Sequence, residues 1–167
     1  MAEELNFAAW LRSGDIQTSI RKCQDLFNSG IFSSGAISGP LFEPAVIMLL
    51  INMNDLLAKS NKDQMRVAFV DDVELTEKIK DVTDLIRESR NAACHIGSPE
   101  NLFEGLGKFT FNVVSGLAPE AFNLNGIKLG CDFADDIAVY YGEKRVYLRR
   151  HLLRALEAVA KNYPAAR

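Results

Sequence analysis

The sequence predicts a mainly helical protein, a bundle with a small antiparallel sheet or hairpin addition near the C-terminus. Three observations predict it. From Ala45 to Ala58 the chain is apolar almost all round until Asn52, the pattern of a helix at the centre of a bundle. Leu75, Ile79, Val82, Leu85 and Ile86 then fall on one helical face, with mostly charge opposite. After Gly107 the period drops to two: Phe109, Phe111 and Val113 alternate with Thr110 and Asn112, as in a strand.

Taken in order, Glu3 to Arg12 reads as a short helix with Leu5, Ala8, Ala9, Trp10 and Leu11, broken by Ser13-Gly14-Asp15. Asp15 then caps a second helix by accepting from its free amides, and Ile16, Ile20, Cys23 and Phe27 form the stripe. Gly30 stands where a left-handed stop belongs. Ile31 to Pro40, rich in Gly and Ser, is a loop. Glu43-Pro44 opens the apolar helix, because proline's missing amide hydrogen is not needed in a first turn. Arg66 to Val70 reads as extended, and Asp71 with Glu74 as a capping box for the fourth helix, which runs to about Cys94. Ser98-Pro99-Glu100 starts a short helix. Asn125-Gly126 marks a hairpin between Phe122–Leu124 and Ile127–Leu129. Gly142-Glu143 marks another, of type II′, between Ile137–Tyr141 and Lys144–Leu148. A closing helix covers about 149–162. The reading is thus one domain over 1–167, with a helical core at about 3–106, a β-rich addition at about 107–148 and the closing helix.

A chain of 167 residues with 48% hydrophobic and 25% charged side chains has the make-up of a folded domain, not of a disordered tail or a rod. Its longest apolar run, Ala45 to Ile51, is seven residues, far short of the roughly 20 that a membrane span needs. Met-Ala-Glu-Glu offers no signal peptide, and three widely spaced cysteines (Cys23, Cys94, Cys131) suit free thiols, so a cytoplasmic location is expected. The net charge of −3 divides into −9 before Lys144 and +6 from Lys144 onward. That division excludes a wholly basic nucleic-acid binder but leaves a local cationic face. Lys144, Arg145, Arg149, Arg150 and Arg154 are its candidate RNA-backbone contacts, with His151 among them. The plainer reading is a solvated helix face. Tyr140, Tyr141 and Tyr147 are read as packing across the hairpin in preference to stacking bases.

The densest chemistry lies in Arg90-Asn91-Ala92-Ala93-Cys94-His95, at the end of the fourth helix. Asn91 and His95 are four apart and lie nearly above one another. Arg90 is about 140° from His95 around an ideal helix, so the two converge only if the last turn loosens. An imidazole exchanges protons near neutrality, and a guanidinium suits a phosphate. Together they can cleave RNA without a metal. His95 would deprotonate the ribose 2′-hydroxyl or protonate the leaving oxygen, Arg90 would stabilise the phosphorane-like charge, and Asn91 would orient one of them. In the competing reading, His95 ends the helix favourably against its dipole and Arg90 pairs with Glu88 or Asp84.

Ending an amphipathic helix that follows a strongly apolar one, this motif resembles that of the HEPN superfamily: an Arg, four to six residues, then His, often with a polar residue after the Arg. The interval here is four and the polar residue is Asn91. The resemblance covers about Phe42 to Phe103 and not Lys108 to Leu148. It implies a HEPN-like helical bundle, with Arg90 and His95 as catalytic pair and Asn91 assisting. It also implies a metal-independent endoribonuclease that needs no cofactor, acts on RNA as a homodimer, and belongs to toxin–antitoxin, defence or RNA-processing systems, with an antitoxin or regulatory protein as a further partner. Some members have lost activity, so a non-catalytic RNA-binding or protein-interaction role is the alternative.

Two other constellations carry candidate chemistry. Asp132, Asp135 and Asp136 could hold Mg²⁺, but no further ligand stands at a diagnostic spacing, and aspartate is common in turns. Cys94 beside His95 is neither a zinc pattern nor a dyad, since adjacent helical residues point apart. No metal site is expected. No Walker loop is present either; Gly35-Ala36-Ile37-Ser38-Gly39 lacks the lysine.

Overall fold

A computed structural model describes residues 2–95, 97, 99–103 and 107–164, with side chains from Phe7 onward. Four helices are described: α1 (Ala2–Asn28), α2 (Phe42–Lys62), α3 (Val82–Cys94) and α4 (Arg154–Asn162). Seven antiparallel strands follow α3: β1 (Leu102–Phe103), β2 (Gly107–Lys108), β3 (Thr110–Ser115), β4 (Ala118–Leu124), β5 (Ile127–Cys131), β6 (Ile137–Tyr141) and β7 (Lys144–Tyr147). They form the pair β1–β2, the sheet β3-β6-β7 and the pair β4–β5. Between β7 and α4 the chain makes a wide π turn over Leu148–Leu153.

The fold is mixed α/β, which corrects the expectation of a mainly helical bundle. The reason lies in β6. Its five residues are all buried, because the sheet is covered on both faces. Ile137, Val139 and Tyr141 join the core made by the four helices, while Ala138 and Tyr140 point into a second cluster with Phe103, Phe109, Val114, Cys131 and Tyr147. An addition would have one wet face; this sheet is a wall of the main core. Its sequence signal was the unbroken apolar run from Ile137 to Tyr141, which marks a strand buried on both sides.

Two helix boundaries also differ from expectation. The first two predicted helices are one, and α1 runs straight through Ser13-Gly14-Asp15. A glycine inside a helix costs only about 1 kcal/mol. Ion pairs from both sides of it, Arg12 with Asp63 and Asp15 with Lys59 (2.5 Å), tie the helix to α2 and its end. Farther along, Asp71 and Glu74 cap nothing; each pairs instead with an arginine, Arg154 and Arg145 respectively. The start of α3 is set by Asp81, whose carboxylate accepts from the Asp84 amide at 2.9 Å. Arg66 fixes that carboxylate with two bonds, at 2.7 and 2.9 Å, and reaches Asp84 at 2.9 Å. Burial raises the Asp84 carboxyl's pKa, but Arg66, the Lys80 amide and Arg87 outweigh it and hold the group below the usual carboxylate value.

Both hairpins turn where expected. Asn125 and Gly126 have φ of 51° and 88°, the two positive values a type I′ turn requires. In the β6–β7 turn Gly142 has φ 61°, and a Cβ there would lie 2.4 Å from the Glu100 carbonyl oxygen. α2 buries Phe42, Val46, Leu49, Leu50, Met53, Leu56 and Leu57 against α1, α3 and α4. α3 lies between α2 and the β6–β7 hairpin, so its C-terminal end is where helices and sheet meet. No described helix is long and apolar enough to cross a membrane.

Candidate active site at the end of α3

The last four carbonyls of a helix have no partner within it. In α3 two of them are taken by one side chain. Fully buried Asn101 donates its amide hydrogens to the Ala92 carbonyl (3.0 Å) and the His95 carbonyl (2.9 Å). The His95 amide still reaches the Asn91 carbonyl at 3.1 Å, so the last turn keeps its helical bond instead of loosening, and no contact joins Arg90 to His95 among the described residues. The terminus is therefore pinned from below, while Cys94 and His95 stay exposed. One turn earlier, Arg90 donates from Nη1 to Asn91 Oδ1 at 3.2 Å, so the polar residue of the motif holds the guanidinium. Arg90 Nε is buried without a partner among the described residues. Arg90 does not pair with Glu88 or Asp84; those carboxylates bind Arg87.

Unpaired buried polar atoms are concentrated here. Besides Arg90 Nε they are Ser89 Oγ, Asn101 Oδ1, Thr110 Oγ1 and Tyr141 Oη, with Arg145 Nε the sixth among the described residues. Backbone bonds draw several of their residues together. The Phe109 amide donates to the Asn101 carbonyl (2.9 Å), the Gly142 amide donates to the Phe109 carbonyl (2.6 Å), and Thr110 stands opposite Tyr141 in the sheet. Between Thr110 and Asn112 the register slips at Phe111, whose φ of 53° is rare for a bulky residue. Burial first, then the neighbouring Glu43 and Cys94, push the Tyr141 phenol above its ordinary pKa. Buried polar atoms are ordinarily bonded, so these five are exceptions around the end of α3 and the sheet it meets. None of the five principal cavities is lined by Arg90, Asn91 or His95.

The basic residues of the C-terminal segment are arranged differently. Arg145 pairs with Glu74 (2.9 Å) and Asp132 (2.8 Å) and lies over the Tyr147 ring. Arg150 pairs with Asp135 and Asp136 and stacks on Phe133, 3.6 Å from the ring centre. Arg154 pairs with Asp71 and stacks on Phe69. Lys144 donates to the Glu100 carbonyl at 3.1 Å. Only the Arg149 side chain, of these five, has no partner among the described residues. Tyr140, Tyr141 and Tyr147 are buried, as the packing reading requires.

No family model, curated protein or solved structure matches this chain. Its chemistry must be read from its own residues.

Asp132, Asp135 and Asp136 are engaged in bonds within the fold. Asp136 is buried, and its two oxygens accept from the Ile137, Arg149 and Arg150 amides at 2.8, 2.9 and 3.0 Å, besides the Arg150 guanidinium. It caps the π turn that leads into α4. Asp132 accepts from Arg145 and from the Tyr147 hydroxyl (3.0 Å). His151 lies outside any RNA-facing surface, being fully buried. Its Nδ1 accepts from the Tyr147 amide (3.1 Å), so the proton sits on Nε2, which faces the Asp72 carbonyl at 3.1 Å. Burial lowers its pKa to about 4, so it is neutral at pH 7.

Sequence reasoning missed Asn101 and the unpaired Tyr141 hydroxyl. Neither carries a motif. Asn101 follows the ordinary residues Pro99 and Glu100, and Tyr141 is one of two adjacent tyrosines in a strand.

Proposed function

We propose that this protein cleaves RNA without a metal ion, using Arg90, Asn91 and His95. The observation that carries the reading is the state of Arg90: a guanidinium held by Asn91, with a buried and unspent Nε–H, five residues before an exposed imidazole. A permanent cation with spare donors suits a phosphate, and an accessible imidazole suits proton transfer. His95 takes the proton of a ribose 2′-hydroxyl, and that oxygen attacks the adjacent phosphorus. Arg90 stabilises the charge on the equatorial oxygens. The P–O5′ bond breaks, leaving a 2′,3′-cyclic phosphate on one fragment and a 5′-hydroxyl on the other. One imidazole cannot be base and acid at once, so a second copy supplies the proton to O5′ across a homodimer. DNA, without the 2′-hydroxyl, is not cut.

The test is incubation of the purified full chain with single-stranded RNA in EDTA, beside Arg90→Ala and His95→Ala. Cleavage that survives EDTA, yields a cyclic phosphate and falls at least about 100-fold in each variant supports the reading. A second reading, a non-catalytic RNA-binding protein, is favoured by the lack of a cavity lined by the motif among the five described. It predicts RNA binding without cleavage, and binding weakened in Arg90→Ala.

A further inference from the structure

The largest of the five principal cavities, about 520 Å³, is built from parts that the proposed cleavage does not use. It lies where the end of α1, the Gly- and Ser-rich loop after it, the end of β3 and the start of the π turn come together. One wall is apolar. Phe27 and Phe32 meet edge to face with ring centres 5.3 Å apart, and Leu148 lies in the same lining. The polar lining is uneven in a useful way. Asp136 is saturated by backbone amides, and Asp135 is held by Arg150 at 3.0 Å. Arg149 lines the cavity and its guanidinium has no partner among the described residues. Ser33, Ser34 and Ser115 line it too, with hydroxyls equally unclaimed.

From these features we infer that the cavity binds a small aromatic monocarboxylate. Its volume is in the range of small-molecule sites, roughly 300–1,000 Å³. The two phenylalanines offer edges and faces to a flat ring. The guanidinium fork matches a carboxylate, and the serine hydroxyls donate to whichever oxygen lobes remain. Asp135 and Asp136 on the same wall repel a second negative charge, which sets a monoanion above a phosphate monoester. The Gly- and Ser-rich loop thereby acquires a role without any Walker chemistry: it brings Ser33 and Ser34 to the rim. The inference stands apart from the RNA site, since no residue of the motif lines this cavity.

Titration calorimetry of the full chain tests it with three probes: 1-naphthylacetate, its neutral counterpart 2-(1-naphthyl)ethanol, and AMP as a dianion carrying a ring. The acid is expected to saturate a single site and to bind at least about tenfold tighter than the alcohol or AMP. Arg149→Gln, a change at an exposed position, should bring the acid down to the affinity of the alcohol and leave the alcohol unchanged. No saturable heat from the acid at millimolar concentration overturns the inference. So does equal binding of acid and alcohol to the wild type, or a preference for the acid that survives in Arg149→Gln.

Discussion

Asp136 and Arg90 are both charged groups drawn into the protein, and their surroundings are opposite. The buried groups bonded around Asp136 are spent: three amides and a guanidinium converge on one carboxylate, the neighbouring His151 uses both ring nitrogens, and the Tyr140 hydroxyl both gives to and takes from the Gly130 backbone at 2.7 and 2.8 Å. At the end of α3, donors and acceptors are left over, from Arg90 Nε to the Tyr141 hydroxyl. Leaving a buried polar atom unpaired costs about 1–3 kcal/mol, so the two regions divide the labour. Asp136, His151 and the Tyr140 hydroxyl spend their polar atoms on holding the fold. On the proposed reading, the end of α3 keeps its spare donors and acceptors for a ligand.

The contrast is sharpest at Asp136. Asp136→Ala should lower stability in urea by about 3–5 kcal/mol, because it strips the cap from the π turn and leaves Arg150 without its buried partner. A loss below about 1 kcal/mol would mean that water replaces the carboxylate and that the closing unit is less dependent on it than the bonds imply.

Acidification is the next largest lever. The folded state holds His151 at a pKa of about 4, below the ordinary 6.5, so the unfolded chain takes up its proton first. The stability this neutral imidazole gives is complete above pH 6.5 and drains away as pH falls toward 4, by about 3 kcal/mol. Urea midpoints across that window should show the slope, and His151→Gln should flatten it. A flat profile in the wild type would place a charged His151 in the folded state.

A matched pair of tyrosines compares the two regions with the same chemical change. Tyr140→Phe removes two backbone bonds and should cost about 1–2 kcal/mol. Tyr141→Phe removes a hydroxyl that bonds nothing among the described residues, and should be neutral or stabilising by up to about 1 kcal/mol. Equal losses in both would show that Tyr141 has a partner and would weaken the contrast.

Much of this was legible in the chain. Asn125-Gly126 and Gly142-Glu143 placed both hairpins, because positive φ at a turn restricts the residue choice. The apolar length of Ala45–Ala58 placed α2. The role of the sheet was misread because a strand covered on both faces loses the alternation that identifies it, leaving Ile137 to Tyr141 as a plain apolar run. The break at Gly14 was misread because the ion pair on each side of it joins residues 51 and 44 positions apart. At the candidate site, Arg90, Asn91 and His95 were visible as a motif. Asn101 was not, since its importance lies in two carbonyls on another element. The five cations of the last segment looked like one face, whereas each folds toward its own aspartate, glutamate or carbonyl except Arg149.

The division of labour is tested most directly by measuring folding and RNA cleavage on the same variants. Arg90→Ala and His95→Ala should keep their urea midpoints within about 1 kcal/mol of the wild type while losing cleavage in EDTA. Variants that destabilise as Asp136→Ala does while cutting RNA at the wild-type rate would make the end of α3 a structural element and leave the cleavage reading without a site.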